Sequence, residues 1–299
     1  MDWVTELLSA PLLDGPAELG PWWSLVRRSL MGTSTLQQAA LGGLAADRLG
    51  LAFAAGYQAA LTRLVPDRAH GAVLGVAFTE EGGAHPKAIR SHLDAEGSAW
   101  RLSGHKGWVT CGTLATELVV VASVGAWADG RNRLRACRVG TDAEGVTVTP
   151  HGPAPFVPEV PHASVTFDGV LVEQLLPGDG YTAWLKSFRT VEDIHVHGAL
   201  LGYLMRVGRQ ARWPDEHVEA ALVPLLALEA LAQADPLDPI THRGLGGVMA
   251  STRALLVQVE PLWERVDAEQ RARWERDQPL LKVAGRARVA RLERARVST

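Results

Sequence analysis

Apolar residues recur at helical spacing near the start of the chain. Leu36, Ala40 and Leu44 follow one another at intervals of four, within an Ala- and Leu-rich stretch that runs from about residue 17 to 64. Side chains three or four residues apart lie on the same face of a helix. The spacing therefore predicts an N-terminal helical region over residues 1–70.

The pattern changes after residue 67. Short runs rich in β-branched residues follow one another at roughly ten-residue spacing, which is typical of the strands of a barrel or sandwich. The runs are AVLGVAFT, AWRLSG, KGWVT, ELVVVASV, LRACRVG, GVTVTP and ASVTFDGV. They predict a central β domain over residues 71–178.

The helical period returns after the Pro-Gly-Asp-Gly turn at 177–180 and predicts a C-terminal helical domain over 179–299. The stretch WERDQPLLKVAGRARVARLERA is expected to be one helix with a buried apolar stripe and a solvated arginine face. The predicted fold class is thus α+β: N-terminal helices, a central β-barrel or sandwich domain, and a C-terminal helical bundle.

Composition narrows the classes of function. The chain has 299 residues, 47% of them hydrophobic, and a formal net charge of −3, which disfavours nucleic acid and anionic membranes as partners. The acidic N-terminus and the absence of a long apolar run lead us to expect a cytoplasmic protein. Cys111 and Cys137 match no metal motif, and His195 and His197 point in different directions on a helix, so no metal site is expected.

Two motifs carry candidate chemistry. The segment VAFTEEGGA is a strand that runs into a glycine-rich turn, whose backbone N–H groups can approach a ligand closely. About twenty residues later, LSGHKGWVT is a turn that enters a strand, with the aromatic Trp108 two residues before the hydroxyl of Thr110. In this order and spacing, the two segments resemble the middle domain of the acyl-CoA dehydrogenases, and the resemblance extends over about residues 35–210.

The resemblance implies an FAD site. In the family, the corresponding segments form the pocket of the flavin ring, whose faces are apolar and whose edges are polar. Trp108 would pack beside the ring, Thr110 would reach N5 or O4, and Thr79 with its neighbours would address the pyrimidine edge. The implied cofactor-binding residues are Phe78, Thr79, Gly83, His85, Trp108 and Thr110. Considered without the resemblance, the pattern favours Trp108 as a buried core aromatic residue and Thr110 as an ordinary strand residue.

Several positions depart from the family pattern. His85, followed by Pro86, stands where the family usually has a serine, and it could replace that donor or be an ordinary loop histidine. The family's R-x-x-F-G segment, whose arginine reaches the flavin diphosphate, is absent, and Arg209 and Arg212 are the candidate replacements. The late Y-E-G-T motif with the usual catalytic glutamate is also absent.

A second family position for the catalytic carboxylate is matched in part. Some members carry it in a D-x-E-R motif ten residues before a helix-packing glycine, and Glu192 precedes Gly202 by that spacing. A carboxylate in an apolar cleft has a raised pKa and can abstract a proton α to a thioester carbonyl. The alternative is a helix start with Thr190 as its cap. Asp193 and His195 are weaker substitutes for the base.

These observations lead to two hypotheses. The first is an FAD-dependent acyl-thioester dehydrogenase-like oxidoreductase, in which Glu192 removes the α-proton and the flavin takes the β-hydride. Its partners would be an acyl-CoA or acyl-carrier-protein thioester and an electron-transfer protein or oxygen, and it would be a homo-oligomer. The second is a catalytically lapsed paralogue that acts as a binding or partner subunit.

Overall fold

The computed structural model describes residues 2–12, 14–67 and 71–298. The part of the chain before the sheet is helical, as predicted. Its described helices are α1 (Asp2–Ser9), α2 (Leu19–Val26), α3 (Thr35–Ala45) and α4 (Leu49–Leu64).

Helix α3 begins where its sequence provides partners for the first backbone N–H groups. The Ser34 side chain accepts a hydrogen bond from the Gln37 N–H, and the Gln37 side chain accepts one from the Ser34 N–H. This reciprocal arrangement is a capping box, which fixes the first turn. Small residues then allow close packing: a Cβ on Gly43 would lie 2.0 Å from the Ala199 carbonyl oxygen.

The sheet contains seven strands among the described residues. They are β1 (Leu74–Ala77), β2 (His92–Glu96), β3 (Ala99–Thr110), β4 (Glu117–Ala126), β5 (Asn132–Gly140), β6 (Val146–Pro150) and β7 (His162–Val172). Two of the predicted strands, AWRLSG and KGWVT, are one strand, β3, because the chain continues through Gly104 with φ +140° instead of turning. Strand β2 was not predicted either, because only one of its five residues is buried.

Strand order along the sheet is β1-β4-β2-β3-β7-β6, with β5 paired to β4. β1 pairs with β4 in parallel, whereas β4–β5, β2–β3, β3–β7 and β6–β7 are antiparallel. The core of this unit is built from inward-facing residues of several strands, among them Leu102, Val120, Val165 and Phe167. Burial of these side chains supplies the main driving force for the sheet to form.

Helical structure resumes at Gly180–Lys186, a π-helical segment, and continues without a break into α5 (Ser187–Gln210). The later helices are α6 (Asp215–Glu219), α7 (Leu222–Gln233), α8 (Pro239–Val259), α9 (Ala268–Asp277) and α10 (Gly285–Val297). The predicted single arginine-rich helix is therefore wrong, because the chain breaks between α9 and α10 at Gln278–Lys282 and at Ala284, where φ is +60°. The predicted buried stripe is also wrong at Val283 and Val289, which are exposed.

The chain divides into two compact units. The helical unit comprises Met1–Pro66, Pro155–Glu159 and Thr190–Thr299, and the β unit comprises Asp67–Ala154 and Val160–Arg189. N-terminal helices, a central sheet and C-terminal helices confirm the predicted fold class. No helix in the described ranges is long and apolar enough to cross a membrane.

Candidate functional site

A β-bulge in β3 brings the Trp108 indole to the surface. Lys106 pairs with Val165 and Val109 pairs with Ala163, so Gly107 and Trp108 together face one residue of β7. Leu102 and Lys106, on the same face of β3, are fully buried, and regular alternation would turn position 108 inward as well. The extra residue reverses this, so Val109 is buried and Trp108 is 45% exposed.

The strand end that precedes the glycine-rich turn lies directly beside this bulge. Thr79 forms an antiparallel bridge with Trp108, and its carbonyl oxygen accepts a hydrogen bond from the Gly107 N–H at 2.9 Å. Phe78 is buried and packs edge-on against Phe188, with ring centroids 5.6 Å apart. The fold thus brings Thr79 and Trp108 together, whereas the Phe78 ring belongs to the core.

Thr110 ends β3 and is partly buried, two residues beyond the indole. Its partner across the antiparallel ladder is His162, the first residue of β7. The His162 ring contacts the Trp108 indole with ring centroids 4.4 Å apart, and His151 contacts it at 5.1 Å. Neither histidine was predicted as a site residue, because neither lies in the two motifs.

The glycine-rich turn is a local structure of its own. Glu80 and Gly83 exchange two backbone hydrogen bonds, and Gly83 has φ +90°, which explains the glycine. His85 caps the short 3-10 turn Pro86–Ala88, since its Nδ1 accepts a hydrogen bond from the Lys87 N–H at 3.2 Å. The exposed imidazole therefore has a role in the turn.

A buried ion pair that was not predicted from the sequence connects the two motifs. The Lys106 ammonium lies 2.7 Å from a Glu80 carboxylate oxygen and donates to the Val121 carbonyl at 2.6 Å. Glu80 also accepts hydrogen bonds from the backbone N–H groups of Arg90 and Ser91. Burial acts to raise the pKa of Glu80, but the Lys106 charge and these hydrogen bonds together lower it. The pair fixes the glycine-rich turn to β3 beside the bulge.

Glu192 lies on α5, in the helical unit, and is partly buried. The alternative that Thr190 caps a helix start is wrong, because helical structure begins ten residues earlier, where Asp179 accepts hydrogen bonds from the N–H groups of Tyr181 and Thr182. Gly202 does lie at a close helix contact, since a Cβ there would be 2.0 Å from the Ala40 carbonyl oxygen of α3.

The two substitutes for the base have structural partners. Asp193 is buried and forms ion pairs with Arg288 and Arg291 of α10, so these two arginines are not part of a solvated face. His195 is fully buried, with Nδ1 2.7 Å from the Val191 carbonyl and Nε2 2.8 Å from the Thr35 hydroxyl. Burial lowers the pKa of His195 to about 4.

The candidate replacements for the missing diphosphate-binding arginine also differ from expectation. The Arg209 guanidinium donates to the carbonyl oxygens of Leu7 and Ala10, at 2.9 and 2.6 Å, and so caps the C-terminal end of α1. Arg212 is exposed and has φ +50°. Both side chains border a cavity of about 390 Å³ whose lining also includes Asp215 and Glu219. Charged residues of both signs therefore line this cavity.

No family model and no curated protein sequence matches the chain. Solved structures, in contrast, do match most of it. Butyryl-CoA dehydrogenase from Megasphaera elsdenii superposes with a TM-score of 0.65 at 14% identity, covering 89% of this chain and 83% of that one. The prolyl acyl carrier protein oxidase AnaB gives 0.67 at 14% identity, with 94% and 92% covered. FMN-bound TdsC from Paenibacillus sp. A11-2 gives 0.68 at 16% identity, with 92% and 87% covered.

These likenesses cover nearly all of the chain at very low sequence identity. A TM-score near 0.65 over both the helical and the β parts of the chain identifies the fold, and identities of 14 to 16% identify nothing finer. The chain has the acyl-CoA dehydrogenase fold.

Proposed function

We propose that the chain is a flavin-dependent oxidoreductase that acts on acyl thioesters, carried either by coenzyme A or by an acyl carrier protein. The observation that carries the proposal is the 45% exposure of Trp108 at a bulge beside Thr79 and Thr110. A large apolar ring exposed next to hydroxyl groups suits a flat heteroaromatic ligand, whose faces are apolar and whose edges are polar.

The residues present fit the ring of a flavin. Trp108 provides an apolar surface, and Thr110 provides a hydroxyl at the end of the same strand. The Glu80–Lys106 pair keeps the Thr79 strand end against the bulge, so the two walls of the proposed pocket are held together before a ligand arrives. When bound, a flavin supplies a hydride acceptor at N5.

Glu192 is the proposed base. A partly buried carboxylate on a long helix can accept a proton from the carbon α to a thioester carbonyl. Its position inside α5 supports the proposal, because a residue this far from the helix start is not explained by capping or by the helix dipole. Asp193 and His195 remain with their structural partners.

We propose FAD as the flavin, following the resemblance, with FMN as the alternative. The two differ in the adenosine diphosphate arm, and Arg209 is already bonded to two carbonyl oxygens of α1. The same observation favours a second candidate function, a lapsed paralogue that keeps the fold and acts as a partner subunit.

Absorbance spectroscopy and flavin titration distinguish these candidates. The purified protein should be yellow or should bind added FAD or FMN, as measured by quenching of flavin fluorescence. Trp108→Ala should weaken binding at least about tenfold, while Trp127→Ala, at another exposed tryptophan of the β unit, should leave it unchanged. A wild-type protein that binds neither flavin would leave the partner-subunit function.

Acyl-thioester chemistry is tested on the flavin-loaded protein. Under anaerobic conditions, a panel of acyl-CoAs and acyl-carrier-protein thioesters should bleach the flavin absorbance, and the absorbance should return when an electron-transfer protein or oxygen is added. Glu192→Gln should abolish bleaching and keep the flavin. Bleaching at the wild-type rate in this variant would remove Glu192 from the proposed mechanism.

A homo-oligomer is the proposed assembly. Large apolar side chains of α7 and α8 are exposed, including Val223, Leu226, Ile240 and Val257. Exposed apolar side chains in such numbers are typical of interfaces. Light scattering of the purified chain should give a mass at least twice the 32.1 kDa of one chain.

A further inference from the structure

Two imidazoles lie against the indole of the proposed flavin site. The centroid of the His162 ring is 4.4 Å from that of Trp108, at an interplanar angle of 37°, and the His151 ring is 5.1 Å away at 54°. His151 follows the last residue of β6 and His162 opens β7, and the His151 N–H donates to the His162 carbonyl oxygen at 2.9 Å. The ends of two paired strands thus hold both rings beside the bulge.

A neutral His162 ring offers one hydrogen-bond acceptor. In a neutral imidazole, when one nitrogen carries the proton the other carries a lone pair. Because the Thr110 side chain stands opposite His162 in the ladder, both side chains lie on the same face of the sheet.

The surroundings of His162 favour its neutral form. Burial lowers the pKa of His162 from its ordinary value of 6.5. The Val160 backbone acts to raise this pKa, and the His151 charge acts to lower it further. The described side chains that face it from β3 are Trp108 and Thr110, which carry no charge. After the end of β6, His151 donates its backbone N–H to the His162 carbonyl oxygen, and its ring contacts the same indole. His162 is therefore a neutral imidazole at pH 7, beside an exposed aromatic ring.

We propose that His162 is a flavin-binding residue, whose unprotonated ring nitrogen accepts a hydrogen bond from the ring N–H of the cofactor. His151 acts as a positioning residue, because its charge opposes protonation of His162. The inference rests on the proposed function, since it concerns the same site. The single N–H of an oxidised flavin ring, N3–H, needs an acceptor, and the lone pair of a neutral imidazole is one.

Protonation of His162 should weaken flavin binding. A protonated imidazole has two N–H donors and no acceptor. Flavin affinity should therefore fall as the pH drops through the pKa of His162, with a midpoint below 6.5. Removing the His151 charge should raise that pKa and move the midpoint to higher pH.

FAD titration at a series of pH values tests the proposal without any measurement of activity. FAD is suitable because its diphosphate stays ionised across the range from about pH 5 to 8. His162→Phe keeps an aromatic ring against Trp108 and removes the acceptor, so it should weaken binding about three- to tenfold at pH 7.5 and abolish the pH dependence. His151→Phe should bind with wild-type affinity at pH 7.5 and show the shifted midpoint. His105→Ala, at an exposed histidine of β3, is the matched control and should behave as wild type.

The outcomes separate the two proposals. Wild-type binding that does not change with pH, or unchanged affinity in His162→Phe, would overturn the role of His162 and leave the flavin site intact. A wild-type protein that does not bind FAD at any pH would overturn the FAD site and this inference with it. If circular dichroism showed that His162→Phe does not fold, the pH profile of the wild type and the midpoint of His151→Phe would still test whether His162 binds the flavin.

Discussion

Removing the Lys106 side chain should destabilise the β unit strongly. Lys106 is fully buried, and its ammonium group bonds to the Glu80 carboxylate and to the Val121 carbonyl. Lys106→Met keeps most of the apolar volume but leaves the Glu80 charge buried with two backbone N–H partners and without a counter-charge. Removing one partner of a buried pair typically costs about 3–5 kcal/mol. We expect a loss of that size in the free energy of unfolding.

Urea denaturation followed by circular dichroism measures the loss, with Lys87→Met as the control. Lys87 is an exposed lysine of the β unit in the 3-10 turn Pro86–Ala88, so its substitution should change stability by less than about 0.5 kcal/mol. The double variant Glu80→Gln/Lys106→Met should be less destabilised than the sum of the two single variants, because no charge remains buried. If Lys106→Met cost no more than the Lys87 control, the pair would not be the structural link inferred here.

The pH dependence adds a signature that loss of packing alone would not produce. In the wild type the pKa of Glu80 is lowered, so the carboxylate contributes stability above its ordinary pKa of 4.5, and this contribution is lost as the pH falls through the folded value. In Lys106→Met the counter-charge is gone and burial raises the pKa of Glu80. The stability gap between the two proteins should therefore narrow on going from neutral to acidic pH.

Three further predictions concern the helical unit. Gly202→Ala should destabilise it by about 2 kcal/mol or more, because the added Cβ would lie 2.0 Å from the Ala40 carbonyl oxygen. Its control is Gly247→Ala in α8, where no neighbouring described atom lies within 4 Å of the new Cβ, and this variant should stabilise the helix by about 0.5–1 kcal/mol. Urea denaturation of both variants measures the two changes. Asp193→Asn should cost about 3 kcal/mol by leaving Arg288 and Arg291 without their carboxylate, and wild-type stability would refute the ion pairs. The pKa of His195 is lowered from 6.5 to about 4 in the folded state, so between these pH values the folded state binds fewer protons than the unfolded state. The free energy of unfolding should therefore fall by up to about 3 kcal/mol as the pH drops from 6.5 to 4. His195→Gln should flatten that part of the profile, and an unchanged profile would contradict it.

Periodicity predicted the elements well where one face of each is buried. Helical spacing identified the N-terminal helices, and short β-branched runs identified the strands with buried cores, such as β4. It failed at β2, where a single residue is buried, and at β3, which was divided at a glycine. A glycine inside a strand gives the same local signal as a turn, and only the strand partners, distant in sequence, decide between them.

The candidate site was predictable to the extent that its residues lie in local motifs. Thr79 and Trp108 lie in the two motifs, and the fold pairs them. Lys106 had a usable signal, because it shares the inward face of β3 with Leu102, where an unpaired charge would be prohibitively costly. His151 and His162 had none, since their approach to Trp108 depends on the register of β6 and β7 against β3.

The partners of Arg209 bear on how a flavin would be held. To reach a phosphate, this guanidinium would have to leave the Leu7 and Ala10 carbonyl oxygens and expose the end of α1, which opposes binding. The Trp108 site makes no such demand, because the indole is exposed without any rearrangement. Most of the affinity should then come from the ring, and FAD and FMN should bind with dissociation constants within about tenfold of each other. A much stronger preference for FAD would mean that another group of the chain binds the adenosine diphosphate arm.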